Sequence, residues 1–319
     1  MMMPLPVRCA HELDVQPDEH RWLIAELWAT EAVGIVGGEP KCCKSFLALD
    51  VAVAVASGAP CLRRFRPTRT GRVLLFPAED ALHVVRARLA GIARAAGVAF
   101  ETLDIQVITA PTLRLDLPED QDRLRETVSL LRPTLLVLDP FVRLHRIDEN
   151  AAAEVAPVLA YLRDLERQFH TAVLLVHHAR KGAAHARAGQ ALRGSSELHA
   201  WGDSNLYLRR RADALCLTIE HRAAPSRDGL VVELRAYGDA LALHVIDRRP
   251  SDDRVFSPPT LALRERLERA LAEAATPLTR RALRRVCRIR ASTLGPVLAR
   301  LLAEGRVTRS PAGYQLVPW

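Results

Sequence analysis

The segment Gly37-Gly38-Glu39-Pro40-Lys41-Cys42-Cys43-Lys44-Ser45 constrains the fold of this chain more than any other feature. It follows the apolar run Ala32 to Val36 and precedes a helical pattern that starts at Ser45. A strand, a glycine-containing loop that ends in Lys-Ser, and a helix together form the context of a Walker A loop. The sequence therefore predicts a phosphate-binding site at the carboxyl edge of a sheet.

The predicted ligands of this loop are ATP and Mg²⁺. Backbone amides and the helix N-terminus would surround the phosphates, Lys44 would contact the β and γ oxygens, and the Ser45 hydroxyl would bind Mg²⁺. Cys43 stands where the pattern has Gly, so a decayed loop is an alternative, although the flanking strand, helix, Lys and Ser are intact. The predicted nucleotide site comprises Gly38, Glu39, Pro40, Lys41, Cys42, Cys43, Lys44, Ser45, Phe46 and Asp139.

Lysine is rare in this chain, and nearly all of its basic residues are arginines. Only Lys41, Lys44 and Lys181 are lysines among the 45 basic residues. A chain of this kind keeps Lys mainly where a compact ammonium is needed and a guanidinium fork does not fit. The two lysines of the loop therefore favour a working phosphate site.

Acidic residues follow two of the predicted strands. Asp139 ends the run 135–138, where a carboxylate would hold Mg²⁺ together with Ser45, and its alternative role is a strand-ending turn with Pro140. Glu79 and Asp80 follow the strand 73–76 at the same sheet edge. We predict that Glu79 orients or deprotonates the attacking water, and that Asp80 can cap the next helix.

Polar side chains also follow the last predicted core strand, in Val176-His177-His178-Ala179-Arg180-Lys181-Gly182. Adjacent residues of a strand point to opposite faces, so a metal shared by His177 and His178 is disfavoured. A structural or surface role is the ordinary one for such a pair. At this edge, however, His178 is predicted to sense the γ-phosphate.

The pattern along the chain predicts an α/β fold. Short apolar strands alternate with amphipathic helices, which is typical of a mostly parallel sheet covered on both faces. After residue 201, four apolar segments between turns predict antiparallel strands that extend the sheet. The predicted strands are 32–36, 73–76, 105–108, 135–138, 172–176, 206–208, 215–220, 230–237 and 241–246, and the predicted helices are 45–57, 81–96, 119–131 and 151–169.

These motifs, in this order, resemble the RecA-like ATPases of the hexameric plasmid-replication helicase type, known as RepA helicases. The resemblance covers residues 22–247. Its carriers are the Walker A loop, Pro77-Ala78-Glu79-Asp80, Leu138-Asp139, Asp148-Glu149-Asn150, His177-His178-Ala179-Arg180-Lys181-Gly182-Ala183 and Leu192-Arg193-Gly194-Ser195-Ser196. The family forms rings with ATP between subunits, so the resemblance implies a homo-oligomer, a hexamer, that moves along DNA.

The resemblance also implies roles for the segment after His178. Arg193 would be an arginine finger that enters the neighbour's site, although a plain loop cation is the alternative. The loop 180–192, with Arg180 and Lys181, would face the ring channel and contact single-stranded DNA phosphates.

The end of the chain has a different character. From Val255 to Trp319 there are 12 Arg against 4 Glu, which accounts for the net charge of +8. The pattern resembles a winged helix-turn-helix, with a helix from Thr279, a second helix 293–304, and a hairpin around Pro311-Ala312-Gly313. In a DNA-binding version Thr293 would begin the helix that enters the major groove, and Arg284, Arg285 and Arg309 would contact the backbone of duplex DNA. A protein–protein role is the alternative.

We therefore predict a segment 1–30, a RecA-like ATPase domain 31–248, a linker 249–259 and a winged helix-turn-helix domain 260–319. The chain shows no signal peptide and no apolar run long enough for a membrane span, which predicts a cytoplasmic location. The predicted function is an ATP-hydrolysing DNA motor, a ring-forming replicative-type helicase of a plasmid or other mobile element. The alternative is an ATP-controlled DNA-binding regulator or loader with slow hydrolysis and no unwinding.

Overall fold

The structure is a computed structural model that divides the chain into two compact units, Met1–Asp247 and Arg248–Trp319. It describes residues 7–12, 21–178, 196–211, 214–238, 240–246, 267–274, 276–287, 294, 298, 301–302, 304–310 and 312–317.

The first unit is built on a nine-stranded sheet in the order β11-β10-β9-β8-β3-β7-β6-β4-β5. In this order, neighbouring strands among β8, β3, β7, β6, β4 and β5 are parallel. Neighbouring strands among β8, β9, β10 and β11 are antiparallel. This confirms the predicted α/β fold of a mostly parallel sheet with an antiparallel extension. The strands are β1 Trp22–Ile24, β2 Trp28–Ala29, β3 Val33–Gly38, β4 Val73–Pro77, β5 Ile105–Val107, β6 Leu135–Asp139, β7 Ala172–His178, β8 Ser204–Arg211, β9 Ala214–His221, β10 Arg227–Tyr237 and β11 Ala240–Ile246.

Helices cover both faces of the sheet, because the parallel strands are apolar on both sides. Along β4, Val73 and Leu75 pack with one buried cluster, whereas Leu74 and Phe76 pack with the other. The first cluster contains the buried faces of α1 and α2, and the second contains those of α3 and α4. The helices of this unit are α1 Lys44–Ser57, α2 Leu82–Ala96, α3 Pro118–Leu131, α4 Ala152–Phe169 and α5 Ser196–Trp201.

Two strands that lead to the site are longer than predicted. The strand β3 continues to Gly38 and β7 continues to His178, and these two residues are partners in the parallel ladder between them. His177 and His178 therefore belong to the strand, whereas the predicted strand ended at residue 176. Polar His residues do not extend an apolar run, so the sequence pattern stops two residues early, while the backbone ladder does not depend on side-chain polarity.

The short strands β1 and β2 pair as an antiparallel hairpin within the predicted segment 1–30. Trp28 is fully buried in the cluster that also contains α1. This hairpin therefore packs as part of the core of the first unit. None of the described helices is both long and apolar enough to cross a membrane.

The second unit has a small apolar core of its own. Its described elements are α6 Arg280–Val286 and the hairpin of β12 Val307–Ser310 with β13 Gly313–Leu316. The Thr279 hydroxyl accepts a 3.2 Å hydrogen bond from the Ala282 amide and so caps α6. Most of the predicted helix 293–304 lies outside the described residues, and the winged-helix assignment stays a prediction.

Candidate functional site

The loop 39–43 joins β3 to α1 with a backbone that turns sharply. A Cβ atom on Gly38 would lie 2.3 Å from the Leu208 carbonyl oxygen, so only Gly fits where the loop begins. Lys41 and Cys43 adopt left-handed conformations, with φ of 63° and 60°. Cys43 is the N-cap of α1 and makes no side-chain cap hydrogen bond, so its side chain leaves the amides of the first helical turn to an anion.

The conformation of Cys43 explains why the Walker A pattern has Gly at this position. A left-handed conformation costs an L-residue roughly 1–2 kcal/mol, whereas Gly adopts it without this cost. The thiol is half-buried in the cleft, and burial raises its pKa, which favours the neutral form. Cys43 is thus a neutral, conformationally strained residue at the helix N-terminus.

Lys44 is the first residue of α1 and lies buried at the bottom of the loop. Its Nζ donates a 2.8 Å hydrogen bond to the Glu39 carbonyl oxygen, which holds the side chain along the loop. Burial lowers the pKa of Lys44, and the nearby carboxylates of Asp139 and Glu79 oppose this shift. The ammonium is therefore poorly solvated, and a phosphate would compensate it.

Asp139 and Ser45 come together from β6 and α1. The Ser45 hydroxyl hydrogen-bonds to the Asp139 carboxylate, and burial raises the pKa of Asp139 to about 6, a shift that Asp80 and Glu79 reinforce. A carboxylate and a hydroxyl are hard oxygen ligands of the kind that Mg²⁺ takes beside a nucleotide. The pair fits the predicted magnesium site, because the metal's charge would compensate a carboxylate that burial otherwise destabilises.

Glu79 and Asp80 follow β4, whose last residue, Pro77, is opposite Asp139 in the ladder with β6. Glu79 is exposed and accepts a 2.8 Å hydrogen bond from Arg143 Nε. Asp80 forms an ion pair with Arg88 of α2. The predicted capping role of Asp80 is wrong, since Ala81 is the N-cap of α2 and no side chain caps that helix.

Residues 41–46 line one cleft of about 280 Å³ at the carboxyl edge of the sheet, together with Asp139, Glu79 and Asp80. His178 lies in its wall, whereas the neighbouring His177 is buried and faces the Phe141 ring, with the ring centroids 5.9 Å apart. The opposite directions of the two His side chains follow from their places on one strand. The wall of the cleft comprises Lys41, Cys42, Cys43, Lys44, Ser45, Phe46, Pro77, Glu79, Asp80, Arg88, Asp139 and His178.

Sequence reasoning missed two arginines near the cleft. The Arg88 guanidinium lies 5.1 Å from the centroid of the Phe46 ring, and its place on α2 follows from helical phase, three residues after the buried Val85. Arg143 reaches Glu79 from the segment after β6. No local signal in the sequence identifies Arg143, because its partner depends on the register between β4 and β6.

The remaining predicted site residues are not among the residues that line this cleft within the described part of the chain. Arg180, Lys181, Arg193 and Thr293 lie outside the described residues. Arg284 and Arg285 are exposed on α6, and Arg309 is exposed on β12 over the ring of Tyr314. These three arginines belong to the second unit.

Comparisons with known proteins find a matching family model and similar solved structures. Residues 3–184 match a family model described as "AAA domain", and this segment contains every described residue of the cleft. The solved structure "ATPase Domain of G40P" aligns with a TM-score of 0.50 at 14% identity, over 64% of this chain and 82% of that chain. The "Crystal structure of the RadB recombinase" aligns with a TM-score of 0.49 at 18% identity, over 68% and 92%. The first alignment supports a RecA-like fold.

Proposed function

The chain belongs to the AAA domain family of P-loop ATPases, and we propose that it is an ATP-hydrolysing DNA motor. The proposed form is a ring, a hexamer, that acts as a replicative-type helicase of a plasmid or other mobile element. ATP is its substrate and Mg²⁺ its cofactor.

The observation that carries the ATPase half of the proposal is the single cleft shared by the loop, β4, β6 and β7. Lys44 and the amides of α1 bind the phosphates, and Ser45 and Asp139 hold Mg²⁺, which neutralises phosphate charge when bound. Glu79 orients the attacking water and accepts its proton. His178 contacts the γ-phosphate from β7.

The DNA half rests on charge and on motif order. The 12 Arg and 4 Glu after residue 254 give the end of the chain a strong positive charge, and duplex DNA is a partner of matching sign. Exposed Arg284, Arg285 and Arg309 would contact its backbone, with Thr293 at the groove. Arg180 and Lys181 would contact single-stranded DNA in the ring channel, and Arg193 would complete the neighbour's ATP site.

One set of measurements on the full chain tests the motor. We expect single-stranded DNA to stimulate ATP turnover, and ATP to drive strand displacement on a forked duplex. A non-hydrolysable ATP analogue should also promote assembly, measured by size. A monomer with and without the analogue would leave Arg193 with no neighbour to reach, and the ring would be excluded.

The left-handed backbone conformation of Cys43 favours a second candidate function. Strain and a side chain at the helix N-terminus would slow a catalytic loop, as in a DNA-binding regulator or loader whose ATP state controls assembly. Nucleotide-dependent binding to duplex DNA, with slow turnover and no strand displacement, would support this candidate over the motor.

The variant Cys43→Gly separates the two functions. Gly removes the strain and the Cβ atom, so we expect tighter ATP binding in either case. For the motor, the turnover number should change by less than about threefold. For the regulator, removal of the strain at residue 43 should raise the turnover number about tenfold or more, which corresponds to roughly 1.4 kcal/mol. Isothermal titration and steady-state turnover measure the two quantities.

The matched control is Cys42→Ala. It removes the neighbouring thiol, which is buried and is not among the positive-φ residues. An equal response of both variants would trace the effect to lost thiol chemistry and would contradict the role of backbone strain.

A further inference from the structure

A second cavity, of about 630 Å³, opens beside the ATP cleft at the same edge of the sheet. Residues that follow β4, β5 and β6 form it, and Glu79 contributes to both walls. Apart from Glu79, the residues that line this second cavity have no assigned role in the proposed ATP site. Those with polar side chains are Glu79, Thr112, Arg114, Arg143, His145 and Arg146, and they define what is called here the His145 cavity.

The wall of the His145 cavity carries three arginines and one carboxylate, and two further carboxylates contact wall residues, Asp116 at Arg114 and Glu149 near His145. Arg114 pairs with Asp116, and Arg143 pairs with Glu79. Arg146 is exposed and forms no ion pair within the described part of the chain. Guanidinium groups present several N–H donors in a fixed fork, which suits an oxyanion with several oxygens.

His145 provides an independent observation at the same place. Its side chain is only 2% exposed, and it packs on Phe141 with ring centroids 4.3 Å apart. Neither ring nitrogen makes a hydrogen bond of normal geometry to a described residue. Burial lowers the pKa of the ring, and the Ile147 backbone lies close enough to oppose this larger shift. The Glu149 carboxylate is 3.6 Å from Nε2, within ion-pair range if the ring is protonated. Buried polar groups are nearly always hydrogen-bonded, so an unsatisfied ring in a cavity wall indicates a missing partner.

We propose that the His145 cavity binds a phosphate-type oxyanion, with the His145 imidazole and the Arg146 guanidinium as its main donors. Arg114 and Arg143 lie in the same wall, each already paired with a carboxylate. The oxyanion comes either from the phosphodiester backbone of a nucleic acid strand or from free phosphate, which present the same oxygens. The inference goes beyond the proposed function and does not depend on it.

The test follows the His ring signals of the ¹⁵N-labelled full chain during titration with inorganic phosphate, in the presence of Mg²⁺ and ADP. His145→Asn assigns the His145 signal, and the His178 signal reports separately on the ATP cleft. We expect the His145 signal to shift and saturate. Arg146→Gln should weaken this phosphate binding roughly tenfold, because one charged donor is lost.

The matched control is Arg167→Gln, which removes an exposed arginine of α4 that does not line the cavity. It should leave the phosphate affinity at His145 unchanged. A His145 signal that does not move, or that responds equally in the Arg146 and Arg167 variants, would overturn the proposal. Failure of ATP binding would appear at His178 and leave this result intact.

A competition experiment distinguishes the two sources of the oxyanion. An oligothymidylate that displaces inorganic phosphate from the His145 cavity would identify the strand backbone as the ligand. Phosphate binding that the oligonucleotide does not affect would identify free phosphate.

Discussion

Replacing Lys44 with Ala should lower the kcat/KM for ATP by at least a factor of about 100. The Lys44 ammonium is buried beside the loop, where burial lowers its pKa and leaves it poorly solvated. An electrostatic contact to phosphate oxygens in such a site is worth far more than one in water, and removing one preorganised group typically costs a factor of about 10² to 10³. Steady-state turnover over a range of ATP concentrations measures the loss.

Lys41→Ala is the natural comparison, since Lys41 lies in the same cleft but is exposed. Its contact with phosphate would be screened by water, so we expect a loss of less than about tenfold. Lys44→Ala also removes the hydrogen bond from Lys44 to the Glu39 carbonyl, which could lower the stability of the fold. Thermal unfolding of both variants measures this effect. Normal ATP turnover by a folded Lys44→Ala protein would exclude the assigned phosphate site.

The sequence predicted the architecture because burial on both faces of a parallel sheet leaves a strong pattern. Apolar runs such as 135–138 end at Asp139, where the backbone leaves the core and polar residues become tolerable. The loop before Lys44 is local in the chain, so its residues lie together wherever the helix and strand form. For the same reason most of the cleft could be named before the fold was known.

Features that depend on contacts between distant segments escaped prediction. The pairing of Glu79 with Arg143 requires the register that sets Pro77 opposite Asp139. The left-handed conformation of Cys43 was signalled only by the Gly of the Walker A pattern at this position, since a cysteine carries no backbone signal of its own. The His145 cavity combines three loops, and only the folded sheet brings them to one edge.

Glu79→Gln should lower the turnover number for ATP by a factor of about 10² to 10⁴, the usual contribution of a general base. Gln keeps the shape of the side chain and a hydrogen-bonding oxygen for Arg143, but it cannot accept a proton from water at neutral pH. ATP binding should change by no more than about threefold, because in the proposed site the loop, and not Glu79, holds the phosphates. Single-turnover kinetics with a separate measurement of the ATP dissociation constant distinguishes the two effects.

Asp80→Asn is the matched control, because the adjacent carboxylate lines the same cleft but is engaged by Arg88. If Glu79 handles the water, the Asp80 variant should retain turnover within about tenfold of the wild type. If Asp80→Asn lowered the turnover number more than Glu79→Gln, the general base would be Asp80 and not Glu79. Exposure makes the Glu79–Arg143 pair weak, since both side chains are largely solvated, at 41% and 61%. In the proposed mechanism Glu79 would therefore leave Arg143 at little cost when ATP binds.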